Sequence, residues 1–235
     1  MNPKLFPSKE SNHVSCQHNG FSYSFLFFIL QQISISSILI FTDMFELLHD
    51  TIQRTVEIKE DEFLAFTKYF TYKKIEKREF FLTEGEICFH QAFVKKGILR
   101  SYTLDNNGNE IILQFASERW WVADLSSYIN HEPSFLNIEA LEDSELLLLT
   151  RPAWEEAMKE IPILERFYRL IIQNHLISTQ KRLVHSLSET AEEKYLRFLE
   201  TFPDSVQRVP QHMIASYLGI ARETLSRVRG QLASR

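Results

Sequence analysis

Two cysteines serve 235 residues, Cys16 and Cys88, far apart and in no CxxC pair. Four-thiolate zinc sites and four-thiolate iron–sulfur clusters are excluded by count, and such sparing use suits a reducing cytosol. Glycine is equally scarce, at 6, and no glycine-rich phosphate loop is found. No Ser/His/Asp set and no paired carboxylates stand out, so enzymatic activity has no residues to rest on and no catalytic, metal or cofactor site is expected. Positive charge is also short: 26 Lys and Arg against 31 Asp and Glu leave a net −5. That argues against indiscriminate polyanion binding by the whole surface.

What basic charge there is lies at one end. From Gln207 to Arg235 five arginines (208, 222, 227, 229 and 235) face one acid, Glu223, a net +4 that leaves −9 for the rest. An acidic body with a small basic end fits a sequence-specific DNA binder with a separate sensing region.

One long run has no charge at all, "FSYSFLFFILQQISISSILIF" over residues 21–41. Gln31, Gln32 and five serines dilute it, and no basic cluster lies close to either end. Three readings stand: residues 1–43 are an extension upstream of a start at Met44, the reading preferred here, or the run is a membrane anchor, or it is a signal peptide.

From Met44 to Phe70, Phe45, Leu48 and Ile52, then Phe63, Phe66 and Phe70, have the spacing of short helices. Between residues 71 and 150 short apolar runs alternate with turn signals. Asn106-Asn107-Gly108 separates two of them as a hairpin turn would, and Gly85 and Gly97 mark further bends. Strands at such close spacing predict a sandwich or barrel-like roll. Past Thr150 the pattern becomes helical, with Pro152 and Pro162 suited to first turns. The helix from Pro162 to Leu187 would be roughly 40 Å long. Ile163, Phe167, Leu170, Asn174, Ile177 and Val184 recur along it by fours and threes, except where Lys181 takes a slot, and Ile172, Leu176, Leu183 and Leu187 form a second stripe. Two stripes suit one face on the roll and one on a partner helix, with Asn174 setting register. A single broad stripe facing the core of a monomer is the other reading.

The segment "HMIASYLGIARETLSRVRGQL", residues 212–232, reads as two short helices sharing one core. Ala215 is small where the helices cross, and Gly219 tolerates the positive φ that the turn needs. Leu225 and Val228 form the buried stripe of the second helix. Arg222, Glu223 and Arg227 on its outer face can address base edges, arginine to guanine and glutamate to cytosine, while Thr224, Ser226 and Arg229 suit phosphates. A plain helical hairpin with a solvated charged face has the same spacing.

With strands, a long helix and such a reader in that order, residues 44–235 resemble the Crp/Fnr family of bacterial transcription regulators. The resemblance is carried by "LTEGE" (residues 82–86), "FVKKGILRSY" (93–102), the Asn-Gly turn, "IEALEDSELL" (138–147) and above all "ASYLGIARETLSR" (215–227). It implies an α+β chain: a cyclic-nucleotide-binding-like β-roll over 44–150, dimerisation helices over 151–187 with Ile163, Phe167, Leu170, Asn174 and Ile177 at the seam, and a helix-turn-helix domain over 188–235. It also implies a cytoplasmic homodimer that reads palindromic double-stranded DNA and meets RNA polymerase, with Arg222, Glu223 and Arg227 reading bases. A ligand sensor acting through protein partners, soluble or membrane-associated, is the alternative. Few residues follow Leu232, where family members often carry a wing, which implies fewer phosphate contacts.

The sensing stretch departs from the pattern. Members that bind cyclic nucleotides use a Gly-Glu whose acid takes the ribose hydroxyl and an Arg-Ser whose guanidinium holds the phosphate. Here Ala123-Asp124 and Pro133-Ser134 stand in. Asp124 can accept from a hydroxyl, and Ser134 remains, but the cation is gone, so cAMP is not the expected effector. Trp120, Trp121 and Tyr128, beside Leu125, either line a smaller, more apolar effector pocket or are ordinary roll core. His90 and His131 are the histidines of the strand-rich part of the roll available to a haem, a weak signal.

Overall fold

The computed structural model describes residues 35–234, with side chains from Met44 onward. The expected extension therefore lies outside the described residues except for the backbone of 35–43, and so do most of the uncharged run, Cys16 and Arg235. Among the described residues no helix is long and apolar enough to cross a membrane.

Two helices, α1 (Ile35–Gln53) and α2 (Glu60–Thr67), precede strands β1 (Thr71–Ile75), β2 (Phe80–Leu82), β3 (His90–Lys96), β4 (Leu99–Leu104), β5 (Glu110–Ala116) and β6 (Trp121–Val122). A short helix α3 (Leu125–Asn130) leads to β7 (Asn137–Ala140) and β8 (Ser144–Thr150). Helices α4 (Arg151–Glu160), α5 (Ile163–Ser188), α6 (Ala191–Thr201), α7 (Gln211–Leu218) and α8 (Arg222–Ala233) complete the chain. Helix α1 thus runs through Met44 rather than starting there.

The strands form two four-stranded antiparallel sheets in the orders β1-β8-β3-β6 and β2-β7-β4-β5. Between them Ala92, Val94, Leu146 and Leu148 meet Leu99, Ile138 and Ala140. Because side chains alternate along a strand, Phe93, Leu147 and Leu149 emerge on the outer face of the first sheet, where Leu48, Ile52, Phe66, Trp154, Leu164 and Phe167 cover them. Burial on both faces explains the unbroken run of leucines from Leu146 to Leu149.

The second sheet presents its edge. Arg100 on β4, only 5% exposed, is held by Glu139 on β7 (2.8 and 2.6 Å) and Glu110 on β5 (2.8 Å). A buried guanidinium requires such partners, and these tie β7, β4 and β5 together. Strand β5 carries a register shift opposite Ser101/Tyr102, where Ser101 pairs with Gln114 and Tyr102 with Ile112. The shift leaves Leu113 unpaired as in a bulge, and its carbonyl accepts from Arg182 of α5. Ile112 and Phe115 both turn to the C-terminal helices. Helix α7 then covers the open edge: Ser216 Oγ accepts from the Ile112 amide at 3.1 Å and donates to the Glu110 carbonyl at 2.6 Å.

The C-terminal segment, expected from residue 188 to form the helix-turn-helix domain, packs directly against the roll. The chain does break there, at Glu189, and Thr190 caps α6 in a reciprocal capping box with Glu193. Yet Phe115 packs edge-on against Phe198 and Phe202 (6.1 and 6.2 Å), and Trp120 stacks on Phe202 at 5.6 Å. Arg208 closes the join, bidentate to Glu118 (3.1 and 2.9 Å) and paired with Glu142. Burial works against the Glu118 carboxylate, but Arg208 and nearby backbone amides outweigh it and hold its pKa below the usual range. Arg208, counted with the basic end, is thus bound to the roll.

Gly97, between β3 and β4, has φ +98°, and a Cβ there would lie 2.1 Å from Ser144 Oγ and 2.9 Å from its Cα. Gly108 in the hairpin has φ +80° and open space around it. Gly108→Ala is expected to lose about 1 kcal/mol from backbone strain alone, and Gly97→Ala about 2 kcal/mol more from the collision. Urea denaturation of both variants checks this, and equal losses would mean that Ser144 yields freely.

Candidate nucleic-acid interface and sensor cavity

Helices α7 and α8 are joined as the sequence suggests. Gly219 has φ +65°, its N–H bonds the Ser216 carbonyl at 3.0 Å, and the Ile220 N–H reaches back to the Ala215 carbonyl at 3.0 Å. This is a Schellman cap, which only a residue at ease with positive φ closes cheaply. Leu225 and Val228 of α8 are buried with Ile214, Ala215 and Leu218 of α7 and with Tyr195 and Phe198 of α6, so the orientation of α8 about its axis is fixed.

That orientation turns Arg222, Glu223, Ser226 and Arg227 outward, where they line one shallow concavity. All four are exposed, and among the described residues none has a side-chain hydrogen bond or ion pair. Ser226, expected among the phosphate contacts, lies between the base-reading candidates instead. Thr224 and Arg229 are half-buried at the margins of the face, as contacts to a flanking backbone would be. Ala221 gives α8 no side-chain cap, leaving first-turn amides open to an anion.

The predicted effector residues divide into two pairs. Asp124 is 2% exposed. Its carboxylate caps α3 by accepting from the amides of Ser126 (3.0 Å) and Ser127 (3.2 Å), and it also accepts from Ser134 Oγ (2.8 Å) and the Phe135 amide (3.3 Å). The Ser134 hydroxyl in turn accepts from the Leu136 amide at 3.0 Å. Both side chains are spent in folding the 131–136 loop back onto α3, so Asp124 and Ser134 are withdrawn as ligand contacts. Trp121 and Leu125 instead line a cavity of about 100 Å³ between the roll and the helices. Gln91, Gln114 and Val122 share the roll side, and Trp154, Phe167, Tyr168, Ile171, Ile172 and His175 the helical side.

The two adjacent tryptophans therefore part company. Trp120 serves the join to α6, Trp121 the cavity, and Tyr128 the roll core. Among the described residues the buried indole N–H groups of Trp121 and Trp154 have no hydrogen-bond partner, a state that costs about 1–3 kcal/mol for each donor. His90 and His131 are not among the lining residues. Sequence reasoning did not single out Trp154, Gln91, Gln114 or His175, which fall in unremarkable stretches. Nor did it find Ser216, although the Ala-Ser-Tyr triplet that holds it lies in the motif.

The seam residues also divide. Phe167 is fully buried in its own chain, and Ile163 and Leu170 pack beside it, because the first half of α5 covers the roll. Phe167 is thereby withdrawn from a dimer seam. Asn174 and Ile177 are exposed, and so are Leu176, Leu183, Val184 and Leu187.

Comparison with known proteins agrees with this architecture. Residues 72–160 match the cyclic nucleotide-binding domain family. The transcriptional activator protein Anr of Pseudomonas protegens is 23% identical over 167 residues, 66% of this chain and 68% of that protein. FixK2 from Bradyrhizobium japonicum superposes with TM-score 0.61 at 22% identity, covering 70% of this chain and 85% of its own. The Thermus thermophilus catabolite activator protein does so with TM-score 0.50 at 21% identity, covering 75% and 84%. Both proteins named here for an activity are activators rather than enzymes.

Gly230 follows Ser226 by one turn on the outward face and has open space around it. Without DNA, Gly230→Ala is expected to stabilise the fold by up to about 1 kcal/mol through helix propensity. A denaturation midpoint that falls would show α8 to be less helical there than described.

Proposed function

We propose, from the premise that this chain resembles the Crp/Fnr regulators in motif and in fold, that it is a sequence-specific DNA-binding transcription regulator of the cytoplasm. The observation that carries the reading is the outward face of α8. A core-facing stripe of Leu225 and Val228 fixes its direction, and Arg222, Glu223, Ser226 and Arg227 stand on it without a side-chain partner among the described residues. Free guanidinium groups and a free carboxylate on one short helix, carried by an otherwise acidic chain, suit base edges in a major groove better than a solvated surface. Thr224, Arg229 and the open amides of α8 supply backbone contacts.

The chain acts as a homodimer that reads a palindrome and contacts RNA polymerase. The support is the second half of α5, where Leu176, Leu183 and Leu187 follow a four-three spacing with Gln180 between them and are 55%, 63% and 83% exposed. Ile177 and Val184 flank them at 48% and 60%. Such a stripe is a coiled-coil seam awaiting its copy, shifted toward the C-terminus because Phe167 is spent on the roll. Pairing there sets two α8 helices one DNA turn apart. The effector is not cAMP: Pro133 stands where the family's arginine would hold the phosphate, and Asp124 and Ser134 are occupied with each other.

Arg227→Ala is expected to weaken binding to the selected site by about 1–3 kcal/mol and to relax its sequence preference, as read by selection of genomic fragments and titration at fixed salt. Unchanged discrimination between cognate and scrambled DNA would refute the assignment. Leu183→Asp with Leu187→Asp is expected to yield a folded monomer by light scattering and circular dichroism, with affinity for the palindrome lost. A double variant that stays dimeric would place the seam elsewhere. Capture of a protein partner with no salt-dependent affinity for DNA would favour a sensor that works through proteins.

A further inference from the structure

We propose that Ser216, Arg182 and Arg208 are positioning residues for DNA reading: they pin α7 to the roll at both of its ends and thereby set the spacer that a palindrome must carry between its half-sites. This rests on the reading of the chain as a homodimeric DNA binder, and adds which residues decide the geometry of its site.

The joint between seam and reader leaves that geometry open. Helix α5, which carries the exposed stripe, gives way to extended backbone at Glu189 and Thr190 before α6 begins. A short joint between helices can absorb a large change of direction, so the seam alone does not aim α8. The roll does. Ahead of α7, Arg208 is bidentate to Glu118, on the turn before β6, and pairs with Glu142, on the turn before β8. Toward its other end, Ser216 holds the β5 edge through the Ile112 amide and the Glu110 carbonyl. Beside it, the Tyr217 ring lies 5.1 Å from the guanidinium of Arg182, which donates to the Leu113 carbonyl of the bulge. The eight residues of α7 span about 12 Å, so attachment near both ends resists swivelling as well as sliding. Arg182 immediately precedes Leu183 of the exposed stripe, which brings seam, roll and reader together at one residue. Helix α8 follows α7 as a rigid partner, because Gly219 caps their turn and Leu225 and Val228 share their core.

One extra base pair moves a half-site about 3.4 Å along the duplex and about a tenth of a turn around it. Good hydrogen bonds to base edges span only about 0.5 Å in length. A reader clamped to the roll cannot follow such a move, and a released one can.

The test titrates the full chain against its selected palindrome and against versions with one base pair added to or removed from the spacer. The unaltered chain is expected to bind the altered spacers about tenfold or more weakly, as for a mismatched base pair. In Ser216→Ala with Arg208→Gln the three sites should fall within about threefold of one another. Discrimination between cognate and base-substituted half-sites should stay as it was, because the outward face of α8 is untouched. Damage to the fold alone would weaken every site alike and leave the spacer ratio in place. Glu118 and Glu142 are 34% and 35% exposed, so water can replace Arg208 and the variant is expected to fold, as circular dichroism checks. Ser216→Ala by itself, which loses no charge, should narrow the ratio in the same direction. Hydrogen exchange at the Ile112 amide should quicken in both variants, and this readout needs no DNA. An unchanged spacer ratio in the double variant would overturn the proposal. So would tighter binding of every site, which would show the docked reader to be held away from DNA. An unaltered chain that binds none of the sites would instead refute the DNA-binding reading, with the exchange result still reporting whether Ser216 holds the edge.

Discussion

The covering of the β5 edge by helix α7 is the contact on which the arrangement of this protein turns. A sheet edge leaves amides and carbonyls unpaired, and such an edge must be covered, blunted or paired. Here one hydroxyl, Ser216, answers two of them, at Ile112 and Glu110. The rings of Phe115, Phe198, Phe202 and Tyr217 pack against one another beside that join. The edge is presented in the right place because Arg100 binds carboxylates on both neighbouring strands. Residues of the reader and of the second sheet thus share one core.

The bulge in β5 adds a second route. It turns Ile112 and Phe115 toward the reader and leaves the Leu113 carbonyl to Arg182. Gln114, next in sequence, lines the cavity instead and donates to the Trp121 carbonyl at 3.3 Å. One strand and one helix therefore touch both the cavity and the reader. Coupling between sites requires an element whose equilibrium both can bias, and β5 and α5 are the elements placed to do so.

Much of this was legible from residue order, and particular residues show why. Gly219, Leu225 and Val228 act over a few positions, so spacing alone placed the turn and turned the outer face of α8 outward. The Asn-Gly hairpin and Pro152 are equally local. Phe167 was misread because the stripe of α5 is continuous in sequence while its neighbours change: the first half meets the roll and the second meets solvent. Asp124 was misread because a carboxylate that caps a helix and one that awaits a hydroxyl look alike until the 131–136 loop is seen to fold back.

The sequence by itself determined the order of elements, the roll, the long helix and the reader, together with the residues the reader turns outward. These follow from periodicity and backbone preference, which act within a turn or a strand. Only the tertiary structure decided that Trp120 and Trp121 serve different sites, that Asp124 and Ser134 satisfy each other, that Arg208 belongs to the roll, and that Trp154 is part of the cavity wall. Each of those outcomes depends on whether a polar group finds a partner or an apolar one finds cover, and the answering residue lies many positions away in the chain.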